Sequence, residues 1–293
     1  MRLVPVDDPC DPRVAPFRDV RERDLVGREG LFVAEGEVVL RVLVEGARHE
    51  PLSVLIDARR LEKLAPLLER LPEAVPVHLA AQAVMDAVAG FHIHRGILAL
   101  ARRAPEPDAT ALLDGLSERA LVLCLFGVSN HDNVGGAFRN AAAFGAQAVL
   151  LDPGCCDPLY RKAIRVSVGA ALRLPFARLP QAAAAVELLA GRGFEPLALS
   201  PRGETPLHAV TPTARTAVLL GAEGPGLPDA VLDRCRTVRI PMAEGWDSLN
   251  VATTAGIVLH HLQIGSGGGG DGEGAWEHLC GDGAPASPIM KSA

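Results

Sequence analysis

Leu121-Val-Leu-Cys-Leu-Phe-Gly-Val128 runs directly into Ser129-Asn-His-Asp-Asn-Val-Gly-Gly-Ala-Phe-Arg139. The first stretch has no polar break, as a strand buried on both faces requires. The second carries Asn133 in a polar turn, then a helical pattern from Gly135 to Phe144. A buried strand that turns into a helix is the repeating unit of a parallel α/β sheet. Sites in such sheets sit where the strands end. That is where Asn133 falls, and Arg139 follows about one helical turn into the helix.

The same pattern extends towards the C-terminus. Ala148–Leu151, Glu195–Leu199, Thr216–Leu220 and Thr237–Ile240 are short strand candidates. Pro158–Gly169 reads as helical, and Leu249–Leu262 as a long apolar helix. Towards the N-terminus, Leu31–Val44 reads as an apolar helix face with Glu35 and Glu37 near its start. Leu52–Ile56, Val75–Leu79 and Ile97–Ala101 are strand candidates, separated by helices over Leu61–Leu71 and through Met85. The charged, twice-proline stretch Arg102-Arg-Ala-Pro-Glu-Pro-Asp-Ala109 breaks the series. The expected organisation is a small α/β domain over residues 1–104, a linker and lead-in over 105–119, and a larger α/β domain over 120–264. A flexible tail, opening Gly265-Ser-Gly-Gly-Gly-Gly, covers 265–293.

Composition narrows the function classes. The chain has 293 residues, 48% of them hydrophobic, enough for a sizeable core. No apolar run is long enough to span a membrane, and the early charges of the N-terminus do not suit a secretory signal. Six cysteines contain no CxxC pair, so a zinc site or disulfide framework is not expected, and the simplest location is the cytoplasm. The net charge of −6 argues against indiscriminate coating of nucleic acid. Cations are nonetheless clustered: Arg13, Arg18, Arg21, Arg23 and Arg28 near the N-terminus, and Arg161, Lys162, Arg165 and Arg173 further on. With 4% aromatics, a broad base-stacking platform is not expected.

Two further segments carry polar groups at strand ends. Leu220-Gly-Ala-Glu-Gly-Pro-Gly-Leu-Pro228 places Glu223 among glycines, but lacks the GxGxxG spacing of a dinucleotide fingerprint. Ile240-Pro-Met-Ala-Glu-Gly-Trp-Asp-Ser-Leu-Asn-Val251 leaves a strand and opens the last apolar helix. Ser248 is placed to cap that helix. Asn250, just inside, is a poor interior helix residue and needs a polar partner. His92 and His94 alternate as on a strand, yet no third metal ligand accompanies them. Ser129, Ser167 and Ser200 lack a GxSxG context, which excludes that hydrolase pattern.

In order and chemistry, these three segments resemble the three motifs of the SpoU (TrmH) branch of the SPOUT RNA methyltransferases, from about Leu121 to Leu262. Gly30-Leu-Phe-Val-Ala-Glu-Gly36 and His94-Arg-Gly-Ile-Leu-Ala99 are similar to the edges of the small substrate-binding domain that many members carry. The resemblance implies an α/β fold whose mostly parallel sheet ends in a deep trefoil knot. It implies S-adenosylmethionine as cofactor, a ribose 2′-hydroxyl of ribosomal or transfer RNA as acceptor, and a homodimer with its site at the subunit interface. DNA and membranes are not expected partners. Asn133, Arg139, Glu223, Ser248 and Asn250 match the catalytic positions, with Glu223 free to pair with or orient Arg139. Gly221, Ile240 and Leu249 fall where the family holds the cofactor, with Leu220, Met242 and Val251 as neighbours. Arg161, Lys162 and Arg165 are the expected RNA contacts, together with the N-terminal arginines. The chemistry requires no metal. A non-catalytic RNA-binding relative is the alternative, and a dinucleotide-dependent oxidoreductase lacks its fingerprint.

Overall fold

A computed structural model describes residues 1–18, 29–46 and 48–266. Two sheets organise them. The N-terminal sheet contains β1 (Arg2–Pro5), β2 (Leu31–Glu35), β3 (Glu50–Asp57), β4 (Pro76–Ala80) and β5 (Ile97–Arg102), in the order β1-β4-β3-β5-β2. β1, β4 and β3 are parallel, and β5 runs antiparallel to both β3 and β2. Helices α1 (Glu37–Gly46), α2 (Leu61–Leu68) and α3 (Gln82–Ala89) accompany them.

The expected helix over Leu31–Val44 is instead a strand followed by a helix. Gly36, at φ 97°, separates β2 from α1 in a conformation suited to glycine. The strand carries no alternating signal in sequence because both its faces are buried. Phe32 and Ala34 enter one hydrophobic cluster, while Val33 enters another. Such a strand loses the alternation that marks a half-exposed one. The edge strand β1 was missed for the opposite reason, since most of its residues are exposed.

The second sheet has seven strands, and every pairing in it is parallel. They are β6 (Ala120–Phe126), β7 (Ala148–Leu151), β8 (Phe176–Arg178), β9 (Glu195–Leu199), β10 (Thr205–Pro206), β11 (Arg215–Gly221) and β12 (Arg236–Arg239). Their order is β10-β12-β9-β11-β6-β7-β8. Between them lie α4 (Ala109–Asp114), α5 (His131–Ala143), α6 (Arg161–Val166), α7 (Ala170–Arg173), α8 (Ala182–Ala190) and α9 (Asp229–Leu232), with α10 (Val251–Ser266) last. Helix α5 starts earlier than its apolar pattern, because the Asn130 side chain caps it by accepting the Asp132 N–H at 2.8 Å. The helix expected over Pro158–Gly169 shrinks to α6. The chain turns left-handed at Val168 (φ 54°) and Gly169 (φ 84°), which ends it.

The two sheets share one hydrophobic cluster. It joins Phe32, Val54 and Leu64 of the first unit to Leu123, Phe138 and Phe176 of the second. Polar ties reinforce this contact. Arg48 Nη1 donates to the Leu174 carbonyl at 2.9 Å, and Arg103 pairs with Asp157. Gly169 packs so closely on Val42 that an added Cβ would lie 3.1 Å from its side chain. No helix among the described residues is long and apolar enough to cross a membrane. Of the tail expected over 265–293, Gly265 and Ser266 instead end α10, and the rest lies outside the described residues.

Candidate active site

Asn133 sits in the first turn of α5, only 5% exposed. Its Nδ2 donates to Glu223 Oε1 at 2.8 Å. Asn250 Nδ2 in turn donates to Asn133 Oδ1 at 2.7 Å and to Glu223 Oε1 at 3.2 Å. The topology explains this meeting of three distant segments. β11 lies beside β6, so the turn after β11 reaches the start of α5, which follows β6. One carboxylate oxygen thereby accepts two amide donors, one of them from a buried residue.

Asn250 does a second job. Its Oδ1 accepts the backbone N–H of Ala252 at 2.9 Å and of Thr253 at 3.3 Å, so it caps α10. This corrects the expectation that Ser248 is the cap. Ser248 lies two residues earlier in an exposed loop and makes no hydrogen bond among the described residues. An Asn at this position outcompetes a more distant Ser because its amide caps through oxygen and still donates through nitrogen.

Arg139 stands apart. It is exposed, and makes no ion pair or side-chain hydrogen bond among the described residues. It stands six positions after Asn133, or about 9 Å along the helix axis at ~1.5 Å per residue. Counted from His131, where α5 begins, it lies more than two turns into the helix, not one. The expected pairing of Glu223 with Arg139 is not formed, since the carboxylate is held by Asn133 and Asn250.

Glycines let these segments close on each other. A Cβ at Gly135 would lie 2.7 Å from the Ala163 carbonyl oxygen, and one at Gly136 would lie 2.6 Å from the Ala252 Cβ. Gly135 thus admits α6 and Gly136 admits α10. At Gly221 a Cβ would fall 2.1 Å from the Gly226 carbonyl carbon, inside a turn closed by Gly226 N–H on the Ala222 carbonyl at 3.0 Å. Sequence reasoning missed Asp152. Its Oδ1 accepts from Gly127 N–H at 2.8 Å and Gly154 N–H at 3.0 Å, tying the loop that leads from β6 to α5 to the end of β7. The available signal was an acidic residue directly after the apolar run Ala148–Leu151, followed by Pro153-Gly154.

The positions expected to surround a cofactor divide in two. Leu220 and Val251 are buried in the core, at 2% and 5% exposure. Gly221, Ile240 and Met242 are partly exposed, and Leu249 is 41% exposed. An open groove of about 540 Å³ reaches Ile240 and Pro241, between Leu207–Val210 on one side and Ile257 and His261 of α10 on the other.

The cation cluster also divides. Arg161 lies over the Phe91 ring at 4.5 Å and pairs with the buried Glu35 at 3.4 Å. Lys162 pairs with Asp132 at 2.7 Å. Arg165 is exposed with no side-chain partner among the described residues. Near the N-terminus, Arg13 pairs with Asp11, and Arg18 donates to the Cys10 and Asp11 carbonyls. Arg21, Arg23 and Arg28 lie outside the described residues. His92 and His94 occupy a loop rather than a strand; their rings touch edge-on, and His92 bonds Asp86 at 2.7 Å. No cluster of three metal-ligating side chains occurs among the described residues.

Comparison with known proteins places this arrangement. Residues 120–260 match the model of the SpoU rRNA Methylase family. An uncharacterized tRNA/rRNA methyltransferase of Mycobacterium bovis is 41% identical over 264 residues, which cover 87% of this chain and 90% of that relative. In fold, the chain is similar to an AdoMet-bound rRNA methyltransferase from Sinorhizobium meliloti, with a TM-score of 0.76 and 20% identity over 94% of this chain and 98% of that one. It is also similar to an RNA 2′-O ribose methyltransferase, with a TM-score of 0.72 and 25% identity over 88% of this chain and 97% of the other. With its three polar segments joined at Asn133 and a relative matched along nearly its whole length, the chain belongs to the SpoU rRNA methylase family.

Proposed function

We propose that this chain transfers a methyl group from S-adenosylmethionine to a ribose 2′-hydroxyl of structured RNA, ribosomal or transfer. The observation that carries the reading is the bonded cluster Asn133–Glu223–Asn250, with the unpaired Arg139 on the same helix as Asn133. The relatives support it. Those that match along most of the chain are named tRNA/rRNA methyltransferases, and one fold relative is an RNA 2′-O ribose methyltransferase. A non-catalytic relative would have no need of the complete cluster together with Arg139.

The strand ends fit the cofactor. β11, β9 and β12 are neighbours, and Gly221 and Ile240 stand at or just past the ends of the outer two. Gly221 presents bare main chain there, and the Ala222–Gly226 turn folds back tightly beside it. Gly221, Ile240, Met242 and Leu249 would hold the group, with Leu220 and Val251 bracing them from the core. When bound, it supplies an electrophilic methyl on a sulfonium.

The side chains then have positioning work. Glu223 and Asn250 fix the Asn133 amide, which with Ser248 orients the ribose. Arg139 holds an RNA phosphate and stabilises the developing alkoxide. A guanidinium stays protonated in proteins, so it is not the base. The hydroxyl proton leaves to a phosphate oxygen or to water.

The reading extends to a deep trefoil knot and a homodimer. The knot is supported by the path after β12. The chain leaves the far side of β9 from β11, yet α10 packs beyond β11 on α5, where Asn140 Nδ2 donates to the Ala252 carbonyl at 2.6 Å. The dimer is supported by the exposure of Arg139 and of Ile257 on neighbouring helices.

Arg139→Ala tests the assignment. Methyl transfer should fall about 100-fold or more, while calorimetry shows S-adenosylmethionine binding within about twofold of the parent. An active variant refutes it.

A further inference from the structure

We infer that Trp246 stacks on an unpaired base of the RNA, beside the Asn133–Glu223–Asn250 cluster, and so sets which nucleotide is presented. The inference rests on the RNA methyltransferase reading. Tryptophan is on average among the more buried side chains, because its large surface is costly to leave in water. Here Trp246 is 76% exposed, whereas among the described residues no other exposed large hydrophobic residue exceeds the 46% of Met1. Its side chain makes no ring contact, cation contact or hydrogen bond among the described residues.

The backbone holds the ring at the tip of the loop between β12 and α10. Gly245 turns left-handed at φ 85°, and Trp246 N–H closes the turn on the Ala243 carbonyl at 3.2 Å. Trp246 stands four positions before Asn250, so its Cα is tethered within about 14 Å of the Asn250 Cα. Charge narrows the ligand. Glu244 and Asp247 flank the ring and are both exposed. Two carboxylates repel a phosphate chain, so the tip does not follow the RNA backbone; Arg139 and Arg165, exposed without side-chain partners among the described residues, are cations that can. An aromatic face set apart from the phosphate contacts suits a base turned out of its strand. Proteins hold single-stranded bases in this way.

The chain contains two tryptophans, Trp246 and Trp276, so Trp276→Phe makes Trp246 the sole indole reporter. Total RNA from a strain lacking this gene serves as the probe. Its addition should quench Trp246 fluorescence, and S-adenosylmethionine alone should not. In steady-state methyl transfer to the same RNA, Trp246→Ala should raise KM for RNA about tenfold or more. At saturating RNA, kcat should stay within about threefold, S-adenosylmethionine affinity should be unchanged, and Trp246→Phe should restore most of KM. An unchanged KM overturns the inference. So does lost cofactor affinity, which would place the ring on the cofactor, or dissociation of a dimer, which would place it between copies. A parent chain that quenches with RNA but transfers no methyl overturns the methyltransferase reading and leaves the stacking standing.

Discussion

Asn133→Ala separates a working cluster from three residues that happen to be near each other. The substitution removes the 2.8 Å bond to Glu223 and the 2.7 Å bond from Asn250. The first is charge-assisted and is worth about 1.5–3 kcal/mol; the second is neutral and is worth about 0.5–1.5 kcal/mol. Glu223 and Asn250 are both exposed and take water in exchange, which favours the lower end. The net loss is about 2 kcal/mol, equivalent to several degrees in melting temperature for a chain of this length. Urea unfolding of Asn133→Ala, Glu223→Ala and the double variant measures the coupling between the two side chains. The expected coupling is about 1–2 kcal/mol, because the second substitution removes a bond already lost. Methyl transfer should fall in parallel, as the ribose loses its oriented amide. Additive effects, within about 0.5 kcal/mol, would show that no bond joins Asn133 to Glu223 in solution and refute the cluster.

Gly135→Ala places a methyl 2.7 Å from the Ala163 carbonyl oxygen, so α6 must move; thermal unfolding should show a loss of about 1–3 kcal/mol, and an unchanged melting temperature would contradict the contact. Burial, helped by Arg48 and Arg103, holds His49 down from 6.5 to about 4. An unfolded imidazole then binds the extra proton, so the stability from this site is complete above about pH 6.5 and is lost as pH falls towards 4. At about 1.4 kcal/mol per pH unit the loss approaches 3 kcal/mol, and His49→Gln should flatten it in urea titrations at pH 7 and pH 4.5. Arg165→Ala should reduce the salt slope of RNA binding by about 1, whereas Lys162→Ala, which frees Asp132 from its ion pair, should also destabilise the start of α5.

Most of the larger sheet was legible because its strands are short apolar runs that end in polar turns. Leu121–Val128 needed no tertiary information, and its helix differed only at the cap. The first sheet was harder, since β2 is buried on both faces and its period vanishes. For the site, the residue types were readable but their partners were not. Nothing local to Glu223 says that its oxygen meets Asn133, 90 positions away. The choice between Ser248 and Asn250 as cap turned on where α10 begins, and helix ends are what a periodic pattern fixes least. The cations of α6 looked alike in sequence. Their difference came from Glu35, Phe91 and Asp132, which only folding brings near.

The hydrophobic cluster that joins the two sheets fixes the geometry between the two units. Phe32 and Leu64 share a core with Phe138 and Phe176, so the first unit cannot swing without opening apolar surface to water. If the first unit binds the RNA, it would work as the fixed arm of a calliper, whose other arm is the Asn133 cluster. On the proposed reading, an RNA would then be measured by the distance between the point it offers to the small unit and the nucleotide it offers to the large one. Cutting the chain between the units would leave two pieces, each with an unsealed face.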